Sequence, residues 1–324
     1  MDFANENKII EISGERVTPG EHKLLKIPID RLPTGTLIDI PVYVFNAKKP
    51  GPTLLIQGGL HGDEINGIET VRRMLANKLF DINKGAIIAV PILNIFGFIH
   101  FSRDVPDGKD VNRSFPGTKT GSMASRIAYH YLNEIMYQID LAVDLHTGGG
   151  QRHNFPQIRY TEEDNLSKEL AGVFNAPFTF ASKLIKGSFR NAAYTMNTPA
   201  VVFEAGESMR FDEFSVTAGI QGIMRILRHL GMVKATIENG EAQRKTIALG
   251  KRKWLRAPTA GMFIPKVLNG SQMQKGAILG LVSDIYGKKK KLIKAPVDGY
   301  IVCINHQAVV NQGDALFHIG ELLK

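Results

Sequence analysis

In GGLHGDEINGIET, residues 58–70, His61 and Glu64 stand three positions apart directly after an apolar run, with Asp63 between them. At a helix start this spacing turns both side chains to one side. The stretch is therefore half of a metal site, or else a polar turn. His146, which closes the apolar run LAVDLH, would complete two histidines and one carboxylate, the donor set of many hydrolytic zinc sites that leave a fourth position for water. AVVFEAGE, residues 200–207, ends in Glu204 and Glu207; Glu204 is placed to take a proton from water and hand it to a leaving nitrogen, and Glu207, further along the same loop, competes for that work. Hydrolysis of an amide builds charge on the carbonyl oxygen, and the loop FSRDVPDGKDVNRSFPG, residues 101–117, offers Arg103 and Arg113 to stabilise it. Asn112 beside Arg113 makes a fork of donors suited to a carboxylate, unless Asp110 and Arg113 simply close a surface loop. Asp144 shares strand parity with His146 and is either its outer partner or a structural cap.

The elements that must carry these residues are legible from hydrophobic period. KIIEIS, HKLLKIPI and LIDIPVYVF read as short strands over residues 8–46. TLLIQ (53–57) and AIIAVPIL (86–93) read as buried strands, and Ile65, Ile68, Leu75 and Leu79 mark a helix over 63–79 between them. Met123, Ile127, Tyr131, Ile135 and Ile139 line a second helix, before the strand LAVDLH (141–146). After the strand at 200–206, Ile220, Met224 and Leu227 line a helix over 215–231. Strands alternating with helices predict an α/β core with a mostly parallel mixed sheet, and in such sheets sites gather beyond the carboxyl ends of strands, where HGDE, His146 and Glu204 all fall. Past residue 245 the helical period stops. APTAG (257–261) is echoed by APVDG (295–299), and QKGAILG (274–280) by NQGDALF (311–317), which predicts a small all-β domain of two interlocked halves. The expected domains are thus 1–245 and 246–324.

Composition narrows the function classes. The chain has 324 residues, 44% of them hydrophobic, enough for a sizeable core. It contains no apolar run of membrane-spanning length, and its polar start lacks a signal-peptide pattern, so a soluble cytoplasmic protein with no membrane partner is expected. Its one cysteine, Cys303, leaves any metal to His, Asp and Glu. A net charge of +9 suits an anionic substrate. The only dense basic run, Lys288 to Lys291, lies between strands without any nucleic-acid-binding signature and reads as a solvated hairpin, so no nucleic-acid partner is expected.

Taken in order, HGDE, DVNRSFPG, DLHTGG and FEAGE resemble the succinylglutamate desuccinylase and aspartoacylase family, relatives of the zinc carboxypeptidases, over roughly residues 45–235. The resemblance implies one zinc ion held by His61, Glu64 and His146, with Glu204 catalytic, Asn112 and Arg113 gripping the substrate carboxylate, and Arg103 polarising the carbonyl. Arg159, in FPQIRYT, is a further candidate for holding a substrate acid. The segment KLIKAPVDGYIVCINHQAVVNQGDALFHIG resembles the biotinyl and lipoyl carrier fold but lacks the MKM tripeptide, so a structural module without covalent cofactor is expected, packing over the cleft or mediating assembly. The expected activity is zinc-dependent deacylation of a small-molecule N-acyl amino acid. The alternatives are a carboxypeptidase for short peptides and a non-catalytic metal-binding scaffold; a homo-oligomer stays open.

Overall fold

The computed structural model describes residues 7–234 and 246–323. A hairpin of β1 (Ile10–Ile12) and β2 (Glu15–Val17) precedes β3 (His22–Arg31), β4 (Leu37–Asn46) and β5 (Lys49–Gln57). There follow α1 (Ile65–Ala76), β6 (Lys84–Val90), α2 (Ile95–Ile99), α3 (Met123–Ile135), β7 (Leu141–Gly148) and β8 (Arg152–Tyr160). Next come α4 (Asn165–Phe174), β9 (Phe178–Ala181), α5 (Phe189–Thr195), β10 (Ala200–Glu207) and α6 (Glu213–His229). The C-terminal segment contributes β11 (Ile247–Arg256), β12 (Gly261–Pro265), β13 (Gln272–Met273), β14 (Ile278–Ser283), β15 (Lys290–Lys294), β16 (Gly299–Asn305), β17 (Val309–Val310) and β18 (Ala315–Leu322).

Twelve strands join in one sheet, ordered β13-β16-β18-β11-β9-β8-β10-β7-β5-β6-β4-β3. Pairing is parallel across β6-β5-β7-β10 and across β8-β9-β11, and antiparallel elsewhere. The expectation of a mostly parallel sheet therefore holds only within these two blocks, which meet in the antiparallel pair β10-β8. Hairpin return at β3-β4 and entry of the C-terminal strands make the flanks antiparallel, as short connections require. One face is covered by α1, α4 and α6, the other by α3, α5 and the N-terminal hairpin, each over its own buried aliphatic cluster.

Helix faces differ in detail from the hydrophobic period. In α1 the buried residues are Asn66, Gly67, Glu69, Thr70, Val71 and Met74, while Ile65, Ile68 and Leu75 are only half-buried and Leu79 lies beyond the helix. The cause is Gly67: a Cβ there would stand 2.7 Å from the Leu145 carbonyl oxygen, so the helix settles on β7 through its glycine and the large side chains flank the contact. In α6, likewise, Val216, Ile223, Ile226 and Leu227 are buried, and Ile220 and Met224 are half-buried. Ile127, Tyr131 and Ile135 of α3 are buried as expected, and Ile139 packs just after the helix has ended.

The duplicated motifs interlock. Gly313 N donates to Ala257 O, and in the matching place Gly276 N donates to Ala295 O; Ala257 N donates to Asp314 O, and Ala295 N to Ala277 O. Each half thus completes the other. Part of this segment forms a separate sheet, β15-β14-β12-β17, whose β14-β15 hairpin carries the exposed Lys288–Lys291 run. The remainder leaves that module: β11 pairs with β9, and β16 pairs with β8, placing Cys303 opposite Asn154. Strands β8, β9, β11, β18 and β16 consequently close into a ring that mixes residues from before and after the expected boundary at 245. Residues 235–245, where that boundary falls, lie outside the described residues. Among the described residues no helix is long and apolar enough to cross a membrane.

Candidate metal centre and adjoining cavity

Glu64 sits at the entry to α1, at the end of the turn that follows β5, and its carboxylate bridges both histidines. Its Oε1 lies 2.8 Å from His61 Nδ1, its Oε2 lies 2.8 Å from His146 Nδ1, and Oε2 also accepts from Thr147 N at 3.0 Å. All three residues are buried, and one donor atom from each lies within 4.8 Å of the others. The opposite ring nitrogens are anchored by carboxylates: His146 Nε2 is 2.9 Å from Asp144 Oδ2, and His61 Nε2 is 3.2 Å from Asp110 Oδ1. Asp144 is held in turn by Gln57 Nε2, and Gln57 accepts from Tyr131 OH, both fully buried. Two imidazoles that turn Nδ1 to one carboxylate, each with Nε2 fixed by a further acid, suit a divalent ion, because the outer acid sets the tautomer and raises donor basicity.

Charge is tightly coupled here. Burial disfavours charge on His146, yet Asp144 and Glu64 outweigh it and hold the imidazole well above its ordinary pKa; Glu64 is held well below its own by the two histidines despite burial. His61 is raised in the same way, against burial, by Glu64 and Asp110.

A glycine determines how tightly this turn can sit. A Cβ on Gly62 would fall 2.0 Å from the Gly97 carbonyl carbon and from Phe98 N, so HGDE lies directly against the backbone of α2. Gly62→Ala is expected to destabilise the fold by about 1–3 kcal/mol or more, since backbone rather than a side chain must yield. Urea unfolding reads this out; an unchanged midpoint would mean that α2 moves freely.

The cavity next to the centre has a volume of about 390 Å³. His61, Glu64, Arg103, Asn112, Arg113, His146, Arg159 and Glu204 all line it. Arg103 leans into the donor set, with NH1 3.2 Å from His61 Nδ1 and 3.3 Å from Glu64 Oε1, while Nε and NH2 donate to Asp110 Oδ2. Asn112 Oδ1 accepts from Phe189 N at the start of α5, leaving its Nδ2 for a ligand. Arg113 is partly exposed and reaches Asp110 only at 3.8 Å, so Asp110 both closes the loop and braces His61. Glu204 Oε2 accepts from Asn154 Nδ2 at 2.6 Å, and its Oε1 is 2.7 Å from Arg159 NH1. Glu207 does not line the cavity; it is 4% exposed and faces His306.

Sequence reasoning missed several members. Asp110 is legible in the sequence only as an acid closing the loop with Arg113, not as the partner of His61, and Asn154 carries no signal beyond being a polar residue. Arg152 and Arg190 line the cavity from β8 and α5, elements left unread. Arg252, Trp254 and His318 come from β11 and β18, brought there only because those strands pair, with Trp254 opposite His318 and their rings stacked 4.7 Å apart. Burial, with Arg159 and Arg252 nearby, pushes the His318 imidazole down to about 3, so it is neutral at ordinary pH.

Comparison with known proteins shows which family the chain resembles. The succinylglutamate desuccinylase/aspartoacylase catalytic domain matches residues 50–230. The N-alpha-acetyl-L-2,4-diaminobutyric acid deacetylase of Halomonas elongata is 26% identical over 317 residues, 94% of this chain and 92% of that protein. The product-bound structure of the ectoine utilization protein EutE (DoeB) of Ruegeria pomeroyi superposes with a TM-score of 0.80 at 25% identity, covering 93% of this chain and 95% of that one. A succinylglutamate desuccinylase/aspartoacylase structure from Rhodobacter sphaeroides shares the fold, with a TM-score of 0.82 at 24% identity over 94% and 96% of the two chains.

Proposed function

Since the chain belongs to the succinylglutamate desuccinylase/aspartoacylase catalytic-domain family, an amide-bond hydrolase family, we propose that it is a zinc-dependent deacylase of N-acyl amino acids carrying a second acidic group. The observation that carries the reading is the pair of acid-backed imidazoles that share the Glu64 carboxylate beside a cavity containing Glu204. His61, Glu64 and His146 would hold one zinc ion, which when bound supplies Lewis-acid polarisation and an acidified water. The protein's own groups do the rest. Glu204, oriented by Asn154 and Arg159, takes a proton from the attacking water and returns it to the leaving nitrogen. Arg103, fixed by Asp110, faces the oxygen on which charge develops. Asn112 and Arg113 grip the α-carboxylate, and Arg159 keeps the remaining N–H groups of its fork for a second acid. The C-terminal segment, read as a carrier-like β module without a covalent cofactor, supplies part of the cavity wall, and buried Cys303 fits a reducing, cytoplasmic setting.

Charge favours the acidic substrate. Six arginines line the cavity, Arg103, Arg113, Arg152, Arg159, Arg190 and Arg252, against the acids Glu64, Asp144 and Glu204. A cationic side chain would meet like charge, which costs several kcal/mol, whereas a second carboxylate gains from the field. Amine release should be measured with zinc-loaded protein on N-acetyl derivatives of acidic, neutral and basic amino acids and on N-succinyl neutral amino acids. Acidic substrates, whether the acid sits on the side chain or the acyl group, are expected to exceed basic ones by at least about 10-fold in kcat/KM. Release from short peptides alone would make the protein a carboxypeptidase instead.

A further inference from the structure

Glu204 stands where β10 loses its regular ladder. Register slips against β7 between Glu204 and Glu207, and against β8 between Glu204 and Gly206. Gly206 has φ +78°, and a Cβ there would lie 2.4 Å from Asn66 Nδ2, so the chain makes a tight irregular turn immediately after Glu204. Backbone pairing holds Glu204 opposite His146 of β7 and Gln157 of β8 but lapses directly after it, so the far side of the acid is set by what anchors the bulge and by the side chain of Asn154. Beyond the bulge, Ser208 N and Met209 N bond to Gly148 O and Asp63 O, which ties the chain to the metal side.

On the opposite side the anchor comes from the C-terminal segment. The buried Glu207 carboxylate accepts from His306 Nδ1 at 2.7 Å, and His306 is itself pinned through its N–H to Gln151 O at 2.7 Å. The His306 ring stacks on His153, 5.4 Å between centroids and 26° between planes. His153 immediately precedes Asn154, the residue that holds Glu204 Oε2. It is braced too: its Nε2 is 2.9 Å from Asp212 Oδ2, and Asn269 Nδ2 donates to its Nδ1 and to its carbonyl oxygen. His306 thus touches both strands that aim the acid, β10 through Glu207 and β8 through His153.

We infer that His306 is a positioning residue for Glu204, so that the C-terminal segment sets the efficiency of proton transfer as well as walling the cavity. The inference rests on the deacylase reading. If it holds, losing the Nδ1 donor leaves Glu207 with only its longer contact to Arg210 at 3.6 Å and loosens the His153–Asn154 support that aims the Glu204 carboxylate, while the metal ligands and the carboxylate-gripping residues stay in place.

The test compares His306→Ala with His306→Asn, whose side-chain amide nitrogen stands close to where Nδ1 was. His306→Ala is expected to lower kcat by about 10-fold or more, as for a displaced catalytic group, with KM within about twofold, and His306→Asn is expected to recover most of the loss. A second measurement excludes simple loosening. Cys303, buried on β16 opposite Asn154, should keep its wild-type rate of labelling by a thiol reagent in both variants. If active wild-type protein is matched by His306→Ala, or if kcat falls only in step with faster Cys303 labelling, the inference is wrong and the deacylase reading stands. A wild-type protein that releases no amine from any substrate, with zinc bound, overturns both.

Discussion

Glutamine in place of Glu204 is expected to cut kcat by about 10²–10⁴-fold while zinc content and affinity stay at wild-type levels. The argument is positional. Glu204 is not one of the three converging donors, so the ion should bind without it. Its two oxygens are each met by a donor, Asn154 Nδ2 and Arg159 NH1, and a neutral amide can satisfy only one of them through its oxygen. The variant therefore loses proton transfer and some orientation together. Glu204→Asp, which keeps the charge on a shorter arm, should fall between wild type and glutamine. Atomic absorption and single-turnover assays check both halves: loss of zinc along with activity would make Glu204 a ligand or a structural acid, and full activity would move the proton-transfer role elsewhere.

His146→Ala should yield protein with little or no zinc and no turnover, because it removes one of three donors. It should also destabilise the metal-free fold by about 3–5 kcal/mol, since Asp144 and Glu64 would be left as buried carboxylates without their shared cation. Where that variant does not fold, wild-type protein tests the same coupling through pH. In the metal-free state His146 has its pKa raised well above the ordinary value, Asp144 and Glu64 outweighing burial. That contribution to stability is fully present below the unfolded value of about 6.5 and is lost as pH rises through the raised folded pKa. Zinc requires the neutral imidazole, so its binding releases protons and strengthens as pH rises. The increase in Tm produced by zinc over chelator should accordingly be larger at pH 8.5 than at 5.5. A larger increment at the acid end would contradict the arrangement in which both imidazoles serve as ligands.

Much of the centre was legible because it is local or sits at strand ends. His61 and Glu64 occupy one turn, and the buried runs ending at His146 and Glu204 align in parallel, so their polar ends must meet on one edge of the sheet. What escaped depends on register between distant strands. Nothing in RKWLR (252–256) or LFHIG (316–320) indicates that Trp254 and His318 will stack, or that Arg252 will reach a cavity built largely by residues before 210. The helix faces of α1 and α6 went astray for another reason. Periodicity weighs large side chains, whereas close packing here runs through Gly67 in α1 and through Gly219 and Gly222 in α6, where a missing side chain decides the contact. The choice between Glu204 and Glu207 likewise needed three dimensions: only the fold shows which carboxylate faces the cavity and which faces His306.

The closed ring of β8, β9, β11, β18 and β16 also bears on how the protein comes to be active. Its closing pair brings together Asn154 and Cys303, about 150 positions apart, which is costly in chain entropy and therefore slow. The donor set of His61, Glu64 and His146 draws only on earlier segments and can assemble first. Refolding should then pass through a stage that captures metal before it can turn over substrate, with the recovery of catalysis lagging until the last strands have zipped into place.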